Sequence, residues 1–208
     1  MKAASKKAEH MTSLSGKVLV SKTHGRIAFR GIIDTLEAEL IEAQVLASQL
    51  SDSAGSIESR VCGNLGEILD YLRTLMAAEV KETPLPPPLL FGMDAEEIHL
   101  RSHNTEACSG PVPIPAYTQG PLAARLNTLR AKVREAELLA VRTFGPGEDL
   151  PRKDIILALN RLSSALWWLF CSYLSEKTKT TPRLLQQHQP NDYLCLGQYV
   201  IAHNQNRP

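Results

Sequence analysis

Residues 154–173, DIILALNRLSSALWWLFCSY, constrain this chain more than any other stretch. Nearly every position is apolar, so as a helix the segment has to be buried around most of its circumference. Asn160, Arg161, Ser163 and Ser164 interrupt it near the middle. A guanidinium withdrawn from water costs several kcal/mol unless it is paired and hydrogen-bonded. Two arrangements meet that demand. Either a carboxylate on a neighbouring helix satisfies Arg161 in the core, or the polar patch faces a cleft that binds something anionic. The same polar residues leave the apolar run around Trp167 too short and too broken for a membrane span.

At 208 residues and 22.9 kDa the chain is long enough for one domain with a full core. A formal net charge of +1 provides no global field, which disfavours nucleic-acid or membrane-surface binding driven by bulk charge. Cys62, Cys108, Cys171 and Cys195 lie far apart with no C-x-x-C pair, and residues 1–17 lack the apolar core of a secretory signal. Both features point to a cytoplasmic protein with reduced thiols.

Residues 1–19 read as a mobile, basic and polar arm, running into a short β-like or extended piece, KVLVSK, at 17–22. Four amphipathic helices follow at 25–50, 56–81, 120–144 and 150–176, each with apolar residues at helical spacing. Asp52, Ser53 and Gly55 break the first from the second, and Gly145-Pro146-Gly147 separates the last two. Residues 82–119 hold seven of the 13 prolines, so they form a long crossover with one short helix near 94–102. No internal repeat is present. The pattern predicts a single all-α bundle over 20–177, with a tail, 178–208, whose apolar stretch at 193–201 packs on the bundle or on a partner.

Chemistry-bearing residues concentrate on the last two helices. Arg130 and Arg134 are i,i+4 and share a face, with Glu137 one turn beyond. Either this is a solvated charged face, or Arg134 and Arg161 together cradle a polyphosphate whose Mg²⁺ Asn160 supports. Lys22, Thr23 and Gly25 in SKTHGR resemble a phosphate loop only loosely, just ahead of a helix start. His99 and His103 have zinc-compatible spacing, with Cys108 beyond, but they serve equally as contacts to a ligand's polar rim. No nucleophile triad, hydrolytic carboxylate pair or helical Glu-x-x-His set is legible, and no metal centre is expected.

Three motifs in order resemble the ATP:corrinoid adenosyltransferases of the four/five-helix-bundle superfamily, nearest to the ethanolamine-utilisation type. SKTHGRIAFRGIIDTLEAEL resembles their first-helix motif, KVREAE their Arg-Arg-Ala-Glu-Arg motif, and LNRLSSALW their Asn-Arg-Leu-Ser closing helix. EEIHLRSH is similar to a His-containing segment of that branch. The resemblance implies transfer of the 5′-deoxyadenosyl group from ATP to cob(I)alamin. By it, Lys22, Thr23 and Arg26 hold ATP phosphates across a subunit boundary, and Asp34 pairs with Arg134 of a neighbour. Glu137 and Asn160 support nucleotide and Mg²⁺ with Arg161 beside them, so Arg134, Asp34 and Asn160 carry the catalytic site. Phe91, His99 and His103 meet the corrinoid, Phe91 displacing its lower axial ligand. The expected assembly is a homotrimer, with a dimer as the alternative. The expected setting is the cytoplasm or a bacterial microcompartment, with a cobalamin-dependent lyase as partner. The sequence departs from the pattern at Gly25, Glu135 and Leu138, and nothing before Lys22 supplies that branch's amino-terminal His/Cys metal motif. The competing expectation is a non-catalytic relative that delivers corrinoid or acts as a microcompartment scaffold.

Overall fold

The structure, a computed structural model, describes residues 8–16, 18–104, 112–147 and 150–180. Its first element corrects the expectation of a mobile arm over 1–19. Strand β1 (Met11–Ser15) pairs antiparallel with β2 (Val18–Ser21), closed by Gly16 at φ 53°. The composition of 11–15 carries no strong strand signal. Pairing with β2 and the donation of the Arg30 guanidinium to the Leu14 carbonyl (2.7 Å) hold it in place.

Four long helices carry the fold: α1 (Gly25–Leu50), α2 (Ile57–Lys81), α4 (Pro121–Phe144) and α5 (Lys153–Thr180), with the short α3 (Ala95–His103) between the second and third. Their starts are chemically encoded. Ser56 caps α2 by accepting the Ser59 N–H, Asp94 caps α3 by accepting from Glu96 and Glu97, and Pro121 opens α4 where its missing N–H goes unused. The last helix starts later than expected, at Lys153 instead of 150, because the Arg152 N–H bonds the Phe144 carbonyl (2.9 Å) and holds the junction in a turn. It also runs past the expected end at 176.

Helices α2 and α4 flank α1, α5 packs along α4 and against α2, and α3 lies on α5. Phe29, Ile33, Leu36, Leu40, Ala43 and Ala47 of α1 are fully buried, as are Leu126, Leu129, Val133, Ala136, Ala140 and Phe144 of α4. Alanines at these positions let the helix axes approach. Phe29 and Phe144 meet edge to face at 5.0 Å. Of the described helices, α5 alone is long and apolar enough to cross a membrane. That length corrects the expectation of too short a run. The physical argument is its burial: Ile155, Leu159, Leu162, Leu166 and Phe170 form part of the bundle core.

The proline-rich connection is pinned at three points. Tyr71 donates to the Pro86 carbonyl (2.7 Å), Asp154 accepts the Leu85 N–H (2.9 Å), and Glu67 accepts the Phe91 N–H (2.6 Å). Leu90 and Met93 close a two-residue turn whose central residues, Phe91 and Gly92, have φ of 57° and 73°. Two positive φ values make it the I′ type, which suits Gly92 and strains Phe91.

Candidate functional site

A cleft of about 340 Å³ opens where α3, α4 and α5 meet. Ser102 and His103 line it from α3, Val112 from the connection, Arg130 and Arg134 from α4, and Ser163, Ser164 and Trp167 from α5. Of the polar interruption in the α5 core stretch, Ser163 and Ser164 therefore face a hollow. Among the described residues, no carboxylate lines it. The nearby acids are engaged: Glu135 pairs with Lys132 (3.3 Å) and Glu137 accepts from Asn160 (3.0 Å).

Arg130 and Arg134 stand one helical turn apart with no ion pair among the described residues, whereas Arg26, Arg30, Arg60, Arg73, Arg101, Arg125 and Arg152 all have carboxylate partners. Two like charges at i,i+4 repel. Arg130 is half-buried at the cleft, while Arg134 is exposed at its edge.

Asn160 is the polar hinge between α4 and α5. Its amide donates to Glu137 Oε1, and its Oδ1 accepts from Arg161 Nη1 at 2.6 Å. Arg161 thus has neither of the fates expected for it. No carboxylate on another helix pairs with it, and it is absent from the cleft lining; its Nε is buried without a partner. Arginines on two helices were expected to form the cradle; α4 alone supplies them.

The amino-terminal candidates lie elsewhere. Lys22 and Thr23 are exposed at the β2–α1 junction, where Thr23 Oγ1 lies 2.8 Å from Ser21 Oγ. Gly25 abuts the last turn of α4: a Cβ there would come within 3.2 Å of Thr143, which explains a glycine at that position. Arg134 is nine residues before Thr143, roughly 14 Å along the helix. Within one chain, Lys22 and Thr23 are not brought to the cleft. Arg26 is not free for phosphate. It is buried, donating from Nε to Glu79 (2.5 Å), from Nη1 to Glu82 (2.6 Å) and from Nη2 to the Glu79 carbonyl (2.9 Å). Burial works against its charge, but the Glu82 and Glu79 partners outweigh burial and raise its pKa. Asp34 is exposed and forms no ion pair with Arg134 in the same chain.

Of the three corrinoid candidates, His103 alone lines the cleft. Its Nδ1 lies 2.9 Å from the His99 carbonyl and donates to it. His99 lies behind it, rings 4.4 Å apart, with Nδ1 buried and unpartnered. Phe91 stacks on Trp168 (centroids 5.7 Å) away from the cleft lining. Cys108, Cys195 and the 193–201 stretch lie outside the described residues, and no group of three or more potential metal ligands occurs among the described ones.

A family model described as cobalamin adenosyltransferase matches residues 3–173. The chain belongs to that family. Among its relatives is the corrinoid adenosyltransferase EutT of Escherichia coli strain K12, 30% identical over 185 residues. The EutT of Salmonella typhimurium strain LT2 is equally similar. These matches cover 88% of this chain and 65% of the relatives, so the chain spans about two thirds of their length. The fold is that of a PduO-type ATP:corrinoid adenosyltransferase variant from Lactobacillus reuteri, solved with cobalamin and ATP: TM-score 0.58 at 20% identity, covering 80% of this chain and 91% of that one.

Sequence reasoning assigns Trp167 no role, yet the Arg130 guanidinium carbon lies 5.1 Å from its ring centroid at the cleft. The buried Arg152 and Glu79, outside the cleft, carry no sequence signal either. Helical spacing could have flagged Trp167, since 160, 164 and 167 share one stripe of α5.

Proposed function

We propose that the chain transfers the 5′-deoxyadenosyl group from ATP to cob(I)alamin, giving adenosylcobalamin and triphosphate. The observation that carries this reading is the cleft lined by Arg130 and Arg134, which have no ion-pair partner among the described residues, near the Glu137–Asn160 bridge. The names of its relatives point the same way.

The reaction makes two demands. Cobalt(I) attacks C5′ of ATP, the C5′–O bond breaks, and the electron pair leaves on triphosphate. Cobalt(I) needs no base to activate it, so the protein has to align C5′ and neutralise the leaving group. The α4 arginines meet the second demand. Mg²⁺ takes few protein oxygens when phosphates supply the rest. Glu137 and Asn160 would hold such an ion, which would supply positive charge against the departing triphosphate. Ser163 Oγ donates to the Asn160 carbonyl (2.8 Å), which holds the hinge in orientation.

The corrinoid lies toward α3 and the proline-rich connection, with His103 at its rim, His99 behind, and Phe91 as the apolar residue beneath the ring. Lys22 and Thr23 complete the site from a neighbouring subunit, in a homotrimer joined by Asp34 of one chain and Arg134 of the next. Arg26 then shapes the α1 start instead of touching phosphate. The product serves a cobalamin-dependent lyase of ethanolamine or diol breakdown, in the cytoplasm or a microcompartment.

Anaerobic mixing of protein, cob(I)alamin and Mg-ATP tests the reading: the reduced spectrum should decay to that of adenosylcobalamin. Arg134→Ala should lower kcat by about 10²- to 10³-fold, as loss of a leaving-group contact does. Corrinoid binding with no ATP-dependent decay would instead favour the delivery reading, which the exposed Leu138 and the Lys132-paired Glu135 favour.

A further inference from the structure

The cleft contains an arginine that the family motifs do not reach. Arg130 lies one turn before Arg134, half-buried, its guanidinium 5.1 Å over the Trp167 ring. Trp167 is itself backed by Phe170, centroids 5.3 Å apart and 20° from parallel. The platform is therefore rigid, and the Arg130 fork loses little freedom when it engages a ligand. Its Nε is buried without a hydrogen-bond partner, and among the described residues no carboxylate lines the cleft around it. An unpaired buried donor and a like charge one turn away both disfavour the empty cleft. A bound polyanion relieves both. Because Arg130 covers a face of Trp167, that face is not free to stack a nucleobase, so this part of the cleft suits phosphate.

We infer that Arg130, mounted on Trp167, is a second triphosphate-binding residue of the cleft, acting beside Arg134. This rests on the proposed function and deepens it. Arg130 holds the leaving end of the nucleotide, and the two guanidiniums grip oxygens one helical turn apart. The same pair then holds the triphosphate product once the C5′–O bond has broken.

Calorimetric titration of the full chain with inorganic tripolyphosphate tests this without any corrinoid. Arg130→Gln should weaken binding about 10-fold or more, the worth of a charge-assisted hydrogen bond. Trp167→Leu should weaken it with Arg130 intact, and Arg130→Lys should restore only part of the loss. Arg142→Gln, an exposed arginine on the same helix outside the cleft, should bind like wild type. Without ligand, Arg130→Gln should melt no lower than wild type, since it removes a repelling charge; a merely structural arginine would lower the melting temperature. Wild-type affinity in Arg130→Gln, with loss in Arg134→Gln, would overturn this inference alone. No binding by the wild type would overturn the proposed function with it.

Discussion

Asp154 ties the amino end of α5 to the proline-rich connection with one carboxylate. It accepts from Arg152 Nε (2.9 Å) and Nη2 (2.8 Å) and from the Leu85 N–H. Arg152, itself buried, passes the clasp on to the Thr83 carbonyl (2.9 Å). Burial pushes the Asp154 carboxyl up, but the Arg152 and Leu85 hydrogen bonds outweigh it and hold the group at about 2, below the ordinary 3.8. A carboxyl depressed in the folded state stabilises above its unfolded pKa, and that contribution disappears as pH falls through the folded one. The contribution should be about 2 kcal/mol at neutral pH. It should fade between about pH 4 and pH 2. Urea unfolding of wild type and Asp154→Asn should differ by that amount at pH 7 and converge toward pH 2; a constant gap would remove the carboxylate from the explanation. None of this was legible beforehand, because Asp154 reads as a first-turn acid favourable to the helix dipole and its distant partners carry no sequence signal.

Among the elements, α1 and α2 are locked by a charged core. Glu79 is fully buried and accepts from both Arg26 (2.5 Å) and Arg30 (2.6 Å), while Arg30 also reaches back to the β1–β2 hairpin. Glu79→Gln would leave the Arg30 guanidinium without a carboxylate and Arg26 with only the half-exposed Glu82, so unfolding free energy should fall by about 3 kcal/mol in denaturant titration. A loss under about 1 kcal/mol would mean water already screens the pair. Spacing showed where these helices lie: α1 spans the predicted residues, and α2 begins one residue late because Ser56 is its cap. Spacing could not show the clasp, since Arg26 and Glu79 are 53 residues apart. The β1 strand was missed for the same reason, as its identity lies in its partner.

For the whole molecule, the proposed assembly is what gives the exposed Asp34, Lys22 and Thr23 a role. Lys22 and Thr23 sit at the β2–α1 junction, Asp34 two turns into α1, and none reaches the cleft of its own chain. Asp34→Arg should shift the molecular mass seen by light scattering toward the monomer, and Asp34→Arg with Arg134→Asp should recover the assembly. An unchanged mass for Asp34→Arg would remove that pair from the interface. Read alone, the sequence determined the four-helix plan and the crossover, and it nominated Arg134, Glu137 and Asn160, because periodicity, caps, prolines and motif spacing are local properties. Only the tertiary structure decided that Arg130 and Trp167 share the cleft, that Arg26 and Arg161 are engaged elsewhere, and that Phe91 stacks on Trp168. Charge pairing and stacking depend on which distant residues packing brings within a few ångströms, and no local pattern encodes that.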